Sequence, residues 1–214
     1  MSFEIISLIV LIFASVGILI ADYFEVQVLR FFTKPLLMPA LASYYYFCSP
    51  APDILVLIAL MLAFIGDVAL MWPWKKPLFI TGLSAFLLGH LFYVYIFLMS
   101  VDFLYGRYYL IFMAIPFMLI GYFIFRKLSN YLGDMKIPVV IYMIVIMLMC
   151  FLSFTRVCCF SGQQLFLPLI GSVFFVTSDT ILAFYEFKSK FPKGGVYYMS
   201  TYILAQLLIV IGLI

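Results

Sequence analysis

The sequence predicts an all-α integral membrane protein: a bundle of about eight transmembrane helices forming a single polytopic domain over residues 1–214. Three observations predict it. The first is composition: 68% of the residues are hydrophobic and 10% are charged, against roughly half apolar and a quarter charged in a soluble domain. No aqueous core of this size hides that much apolar surface, which excludes a soluble enzyme, a disordered chain and a disulfide-stapled secreted module. The second is run length, since eight spans of about 20 residues need about 160 residues. That leaves about 54 of the 214 residues for termini and connections, too few for an extramembrane domain. The third is pattern. Runs such as residues 54–65 (ILVLIALMLAFI) do not alternate as barrel strands do, and helices satisfy their own backbone groups in lipid.

The spans are expected at about residues 5–21, 35–48, 54–71, 78–100, 108–125, 137–154, 165–185 and 196–214. The first follows Glu4 rather than a basic segment and has no small-residue cleavage pattern after it, so it reads as an uncleaved span. The second is short and begins at Pro35, where a missing N–H suits a first helical turn. Tyr44, Tyr45 and Tyr46 suit its opposite interface. Arg30, Lys34, Lys75, Lys76, Arg126, Lys127, Lys136, Lys188, Lys190 and Lys193 fall in the odd loops, and Arg107 and Arg156 in the even ones. This bias places the odd loops in the cytoplasm and both termini outside, in the inner membrane if the cell is bacterial. The net charge of +3 is spread thinly, with no basic stripe for nucleic acid. Cys48, Cys150, Cys158 and Cys159 read as free buried thiols, with a disulfide from Cys48 to Cys158 or Cys159 as the alternative on an oxidising side. One histidine and no CxxC pair argue against a metal site, and no cofactor is expected.

Ionisable groups inside spans are expensive, and function is the default hypothesis for them. Asp67 lies in the third span and Asp179 in the seventh. Both spans run the same way, and at 1.5 Å per residue the two acids lie about 7 and 10 Å from the cytoplasmic edge. Paired depth favours a shared role over separate snorkelling. His90 lies near the midplane on a face with Gly82, Phe86, Tyr93 and Phe97. Gln206 lies at similar depth beside Tyr202, and Tyr142 of the sixth span can also face inward. Singly, His90, Gln206 and the tyrosines read as core groups bonded between helices. Gly66, Gly82, Gly89 and Gly171 read as close helix contacts. A weak internal repeat, Gly66-Asp67-x-x-Leu70 against Ser178-Asp179-x-x-Leu182, is compatible with a four-plus-four duplication.

Taken in order, Lys34-Pro35, Gly66-Asp67, Phe79-x-x-Gly82-x-x-x-Phe86-x-x-x-His90-x-x-Tyr93, Pro138-x-x-x-Tyr142, Gly171-x-x-Phe174-x-x-x-Ser178-Asp179 and Tyr202-x-x-x-Gln206 resemble the YhhN-like family, the lysoplasmalogenases. Ser172 departs from the alanine expected after Gly171, a small-for-small change. The resemblance implies an eight-span membrane hydrolase that cleaves the vinyl ether bond of lysoplasmalogens to a fatty aldehyde and a glycerophospho-alcohol. Asp67, Asp179 and His90 are then the catalytic candidates. Lys34, Tyr93, Tyr142, Ser178, Tyr202 and Gln206 are the substrate-binding candidates, and the partners are a lysophospholipid and the bilayer. The chemistry suits two carboxyl groups. Protonation of the vinyl ether β-carbon leaves an oxocarbenium ion, and glycosidases handle a similar transition state with paired acids.

The alternative is a proton-coupled transporter using the same buried acids. An intramembrane aspartyl protease is a poorer match, because Phe64 stands where its Gly-x-Gly-Asp signature has the first glycine. A photoreceptor of the retinal type lacks its deep lysine.

Overall fold

The computed structural model describes residues 2–101, 108–159, 162 and 165–214. Eight α-helices run through them: α1 (Phe3–Tyr23), α2 (Gln27–Cys48), α3 (Ile54–Ala69), α4 (Lys76–Met99), α5 (Ala114–Leu128), α6 (Lys136–Cys159), α7 (Phe166–Ala183) and α8 (Gly194–Ile211). A 3₁₀ turn, Tyr108–Met113, leads into α5, and one π-helical turn, Phe184–Lys188, prolongs α7. Six of these helical stretches are long and apolar enough to cross a membrane. Of the other two, α3 is apolar but has 16 residues, and α2 has 22 residues but carries Arg30 and Lys34. The all-helical membrane bundle expected from composition is therefore what the chain forms.

The second span needs correction. Its helix starts at Gln27, so Pro35 and Pro39 lie inside it rather than at its head. An interior proline removes an N–H and normally costs about 3 kcal/mol in a soluble helix. In lipid the alternative is an unpaired backbone, so the helix continues through both prolines. Starting eight residues earlier puts Arg30 and Lys34, four apart, on one helical face rather than in a loop. The tyrosine run is also only partly interfacial. Tyr46 faces outward, but Tyr45 is buried and its hydroxyl accepts the Asp53 N–H at 3.0 Å. Asp53 in turn caps α3 by accepting from Leu55 N–H at 2.8 Å.

The helices close into a ring. α1 packs on α2 and α8, α3 bridges α2 and α4, α4 packs on α6, and α6, α7 and α8 follow in sequence. α5 stands outside this ring, packed mainly on α6. α1 and α5, which a four-plus-four duplication would make equivalent, thus hold different places. Outward faces are as apolar as the interior: Phe32, Met118 and Ile137 project from the bundle, whereas Lys34, Asp67, His90 and Gln206 are buried. That inversion belongs to a protein whose solvent is hydrocarbon.

Small residues set the helix spacing near the acids. A Cβ on Gly66 would lie 2.6 Å from the Phe86 ring, and one on Gly171 would lie 2.8 Å from the Ala205 carbonyl oxygen. These are the close contacts expected of them. The Gly171 neighbour is backbone and cannot rotate away, so Gly171→Val should force α7 from α8. Overpacking of this kind costs about 1–3 kcal/mol. A lowered thermal midpoint in detergent is the expected result, and an unchanged midpoint would show the contact to be slack. Cys48 and Cys158 carry free thiols, the latter exposed rather than buried.

Candidate functional site

The ring encloses a cavity of about 680 Å³ at the end of the bundle where α1, α3 and α7 finish and α2, α4, α6 and α8 begin. Both acids stand in its wall. Asp67 lies two residues before the end of α3, and Asp179 four before the end of α7. The Gly66 contact with α4 and the Gly171 contact with α8 bring their helices close enough for the wall to be continuous.

The surroundings of the two carboxyl groups differ. Asp67 is 2% exposed; its Oδ1 lies 3.6 Å from Lys34 Nζ, itself 4% exposed, and its Oδ2 accepts the Tyr202 hydroxyl at 2.8 Å. Asp179 has a neutral partner: the Tyr142 hydroxyl donates to its Oδ2 in a short contact. Asp179 retains partial exposure, and the two carboxyl groups lie within electrostatic range of each other. One acid thus carries a cation and a phenol, the other a phenol alone. Opposite charge nearby favours the ionised form of a carboxyl group in general.

Six of the nine candidate residues line this space: Lys34, Asp67, Tyr142, Ser178, Asp179 and Tyr202. Ser178 also ties α7 to α8, its Oγ donating to the Tyr198 carbonyl at 2.8 Å. His90, Tyr93 and Gln206 stand behind the wall. The Tyr93 hydroxyl donates to Gln206 Oε1 at 3.1 Å, deeper in the bundle. His90 Nδ1 meets the Phe86 carbonyl at 2.6 Å; a carbonyl only accepts, so Nδ1 carries the hydrogen and Nε2 the lone pair. Nε2 has no hydrogen-bond partner, and the ring packs edge-on against Tyr142 and Phe175, with centroids 5.4 and 4.4 Å away. His90 touches neither carboxyl group directly. Among the described residues, no group of three or more His, Cys, Asp or Glu side chains is placed to hold a metal ion.

This geometry can be set beside known proteins. Residues 29–213 match the family model of the YhhN family. The chain belongs to the YhhN family. It is similar to human lysoplasmalogenase TMEM86B, 29% identical over 174 residues that cover 80% of this chain and 70% of the human protein. No solved structure matches it. The resemblance carried by the ordered motifs from Lys34 to Gln206 is therefore borne out, and this YhhN chain is an integral multi-pass membrane protein.

The cavity also contains charges that the motif reading of this YhhN chain passed over. Asp22, the penultimate residue of α1, looks like the edge of an apolar run without a motif, yet it is 7% exposed and lines the cavity. Arg30 counts in the sequence only as a topology charge, but it pairs with Asp22 at 2.9 Å. Glu186, in the π-helical turn, and Tyr198 complete this outer group. The available signal was the spacing of Arg30 and Lys34, which carries information only once α2 is known to start at Gln27.

Proposed function

We propose that this YhhN protein hydrolyses the vinyl ether bond of lysoplasmalogen-type lysophospholipids within its bundle-end cavity, releasing a fatty aldehyde and a glycerophospho-alcohol. The observation that carries the reading is that carboxyl groups from α3 and α7 share one cavity while differing in their partners. The similarity to human lysoplasmalogenase supports the substrate class.

In the proposed mechanism Asp179, whose partner is a neutral phenol, is the acid. Tyr142 occupies its Oδ2, leaving Oδ1 to carry the proton to the β-carbon of the vinyl ether. The C=C π pair forms the new C–H bond, and the ether oxygen shares the resulting positive charge with the α-carbon. Asp67, held by Lys34 and Tyr202, faces this oxocarbenium ion as an anion. Water adds to the α-carbon, its proton passing to a carboxylate. The hemiacetal then collapses: the carboxyl group that took the water proton returns it to the glycerol oxygen as that C–O bond breaks, and the hydroxyl proton passes to a carboxylate, to give aldehyde and alcohol. The lipid tail runs among the apolar lining residues, and Tyr202 is wedged by Phe86 and Phe175, at centroid distances of 5.8 and 5.6 Å, so its hydroxyl stays on Asp67. The excess of Lys and Arg in the odd loops supports a cytoplasmic position for this end of the bundle.

His90 enters as a positioning residue that supports the Tyr142 ring, with Tyr93 and Gln206 bracing the deeper wall. His90→Leu should lower kcat by at most about 10²-fold, the cost of a misplaced catalytic group, with KM little changed. A loss as large as that of an Asp variant would assign His90 a direct role.

The test is incubation of purified protein with 1-alkenyl, 1-alkyl and 1-acyl lysophospholipids of matched chain length, with mass spectrometry of the products. Aldehyde from the alkenyl lipid alone is expected. Product from none, with substrate accumulating inside sealed vesicles, would replace the hydrolase by a transporter.

A further inference from the structure

The outer group in the cavity is built around one cation. Arg30 Nη1 lies 2.9 Å from Asp22 Oδ1 on α1, and Nη2 donates to the Tyr198 hydroxyl on α8 at 2.7 Å. The two partners thus tie the guanidinium of α2 to both α1 and α8. The acid lies beneath it: the Asp22 side chain is 1% exposed and that of Arg30 is 30% exposed. The Asp22 contact is a charge pair without hydrogen-bond alignment, and Arg30 Nε has no hydrogen-bond partner. A guanidinium has five N–H donors; with Nε buried, the spare ones are the second hydrogens of Nη1 and Nη2, on a residue that lines the cavity.

The other cations nearby are differently engaged. Lys34 is spent on Asp67 inside the wall. Lys193 lies over the Tyr23 ring at 3.6 Å, and Lys190 over Tyr185 at 5.8 Å. Lys76 pairs with Asp134 and does not line the cavity. Arg30 is also one helical turn outward of Lys34 and lies within electrostatic range of Asp67. A fixed, half-open guanidinium one turn above a carboxylate matches a ligand with an anionic oxygen group a few bonds from its reacting carbon. Planar N–H forks bind such groups bidentately, which a lysine ammonium cannot do.

We propose that Arg30 is the receptor for the phosphate ester of the lipid headgroup, with Asp22 and Tyr198 as its positioning residues. The assignment rests on the lysophospholipid reading of the cavity and names an anchor other than Lys34, the cationic substrate-binding candidate of the motifs. Bound this way, the phosphate sits at the rim and the glycerol spans the step from Arg30 to Asp67. The tail follows the apolar lining.

Binding can be separated from cleavage. In a neutral sugar detergent, a 1-alkyl lysophospholipid and the matching 1-alkylglycerol, which lacks phosphate, are titrated while the fluorescence of Trp74 in the cavity wall is followed. Arg30→Gln should weaken the lysophospholipid about ten- to hundredfold, the worth of a charged hydrogen bond, and leave the alkylglycerol unchanged. Asp22→Asn/Arg30→Gln removes both charges and should show the same selective loss, which protects the test if a stranded Asp22 unfolds the single variant. Tyr198→Phe should give a smaller loss with the same selectivity. Equal weakening of both ligands, or of neither, would overturn the assignment. Inorganic phosphate binding as tightly as the lipid, and lost in Arg30→Gln, would give the site to the free anion instead. The alkyl ligand is not cleaved, so a wild type that binds it selectively but releases no aldehyde from alkenyl lipid would sink the hydrolysis reading and leave Arg30 standing.

Discussion

Asp179→Asn is expected to lower aldehyde release from alkenyl lysophospholipid by about 10²–10⁴-fold, the usual contribution of general acid catalysis, while the protein remains inserted and folded. The amide is nearly isosteric and still accepts the Tyr142 hydroxyl, so the packing of α6 on α7 is kept. What it lacks is an acidic proton for carbon. Asp67→Asn should lose activity on the same scale for a different reason, because an amide offers the oxocarbenium ion no negative charge. The two variants then diverge in stability, since only Asp67 is paired with a buried cation. Alkenyl lipid turnover and thermal midpoints measured on both proteins test the division of roles. Full activity in Asp179→Asn would remove the proposed acid, and full activity in both would leave the cavity without its chemistry.

The membrane bundle was legible because hydrophobic run length is a strong signal, and the acids because charge inside a span is expensive enough to need a reason. Asp67 and Asp179 do line one cavity, as acids of matched depth suggest, and Tyr142 and Tyr202 line it with them. The start of α2 was not legible. Pro35 marks a helix start in water, and only the lack of backbone alternatives in lipid carries the helix past it. That error hid Arg30, whose value depends on sharing a helical face with Lys34. Asp22 was hidden by its position at the end of a span, where an acid looks ordinary. The surroundings of His90 were not legible either: depth from sequence does not say which side of a wall a ring occupies, and here Phe86, Tyr142 and Phe175 are its neighbours. The place of α5 on the outside of the ring, packed mainly on α6, likewise leaves no trace in hydropathy, because lipid-facing and core-facing surfaces are equally apolar.

Lys34→Met should be the most destabilising of the charge changes. It leaves the Asp67 carboxylate buried with Tyr202 as its remaining hydrogen-bond donor, and removing one member of a buried pair costs about 3–5 kcal/mol. Removing both members is a different matter, because the cost of desolvating two charges disappears with their attraction. Lys34→Met/Asp67→Asn should therefore recover most of the thermal midpoint lost by the single variant, a non-additivity that only contacting residues show. Activity should not return with it, since the proposed anion is still missing. Thermal unfolding and aldehyde release measured across the four proteins of this cycle separate the pair's hold on α2 and α3 from its work on the substrate. Additive losses of stability would mean that Lys34 and Asp67 are not coupled. A double variant that regained turnover would mean that the anion facing the oxocarbenium ion is supplied by Asp179 alone.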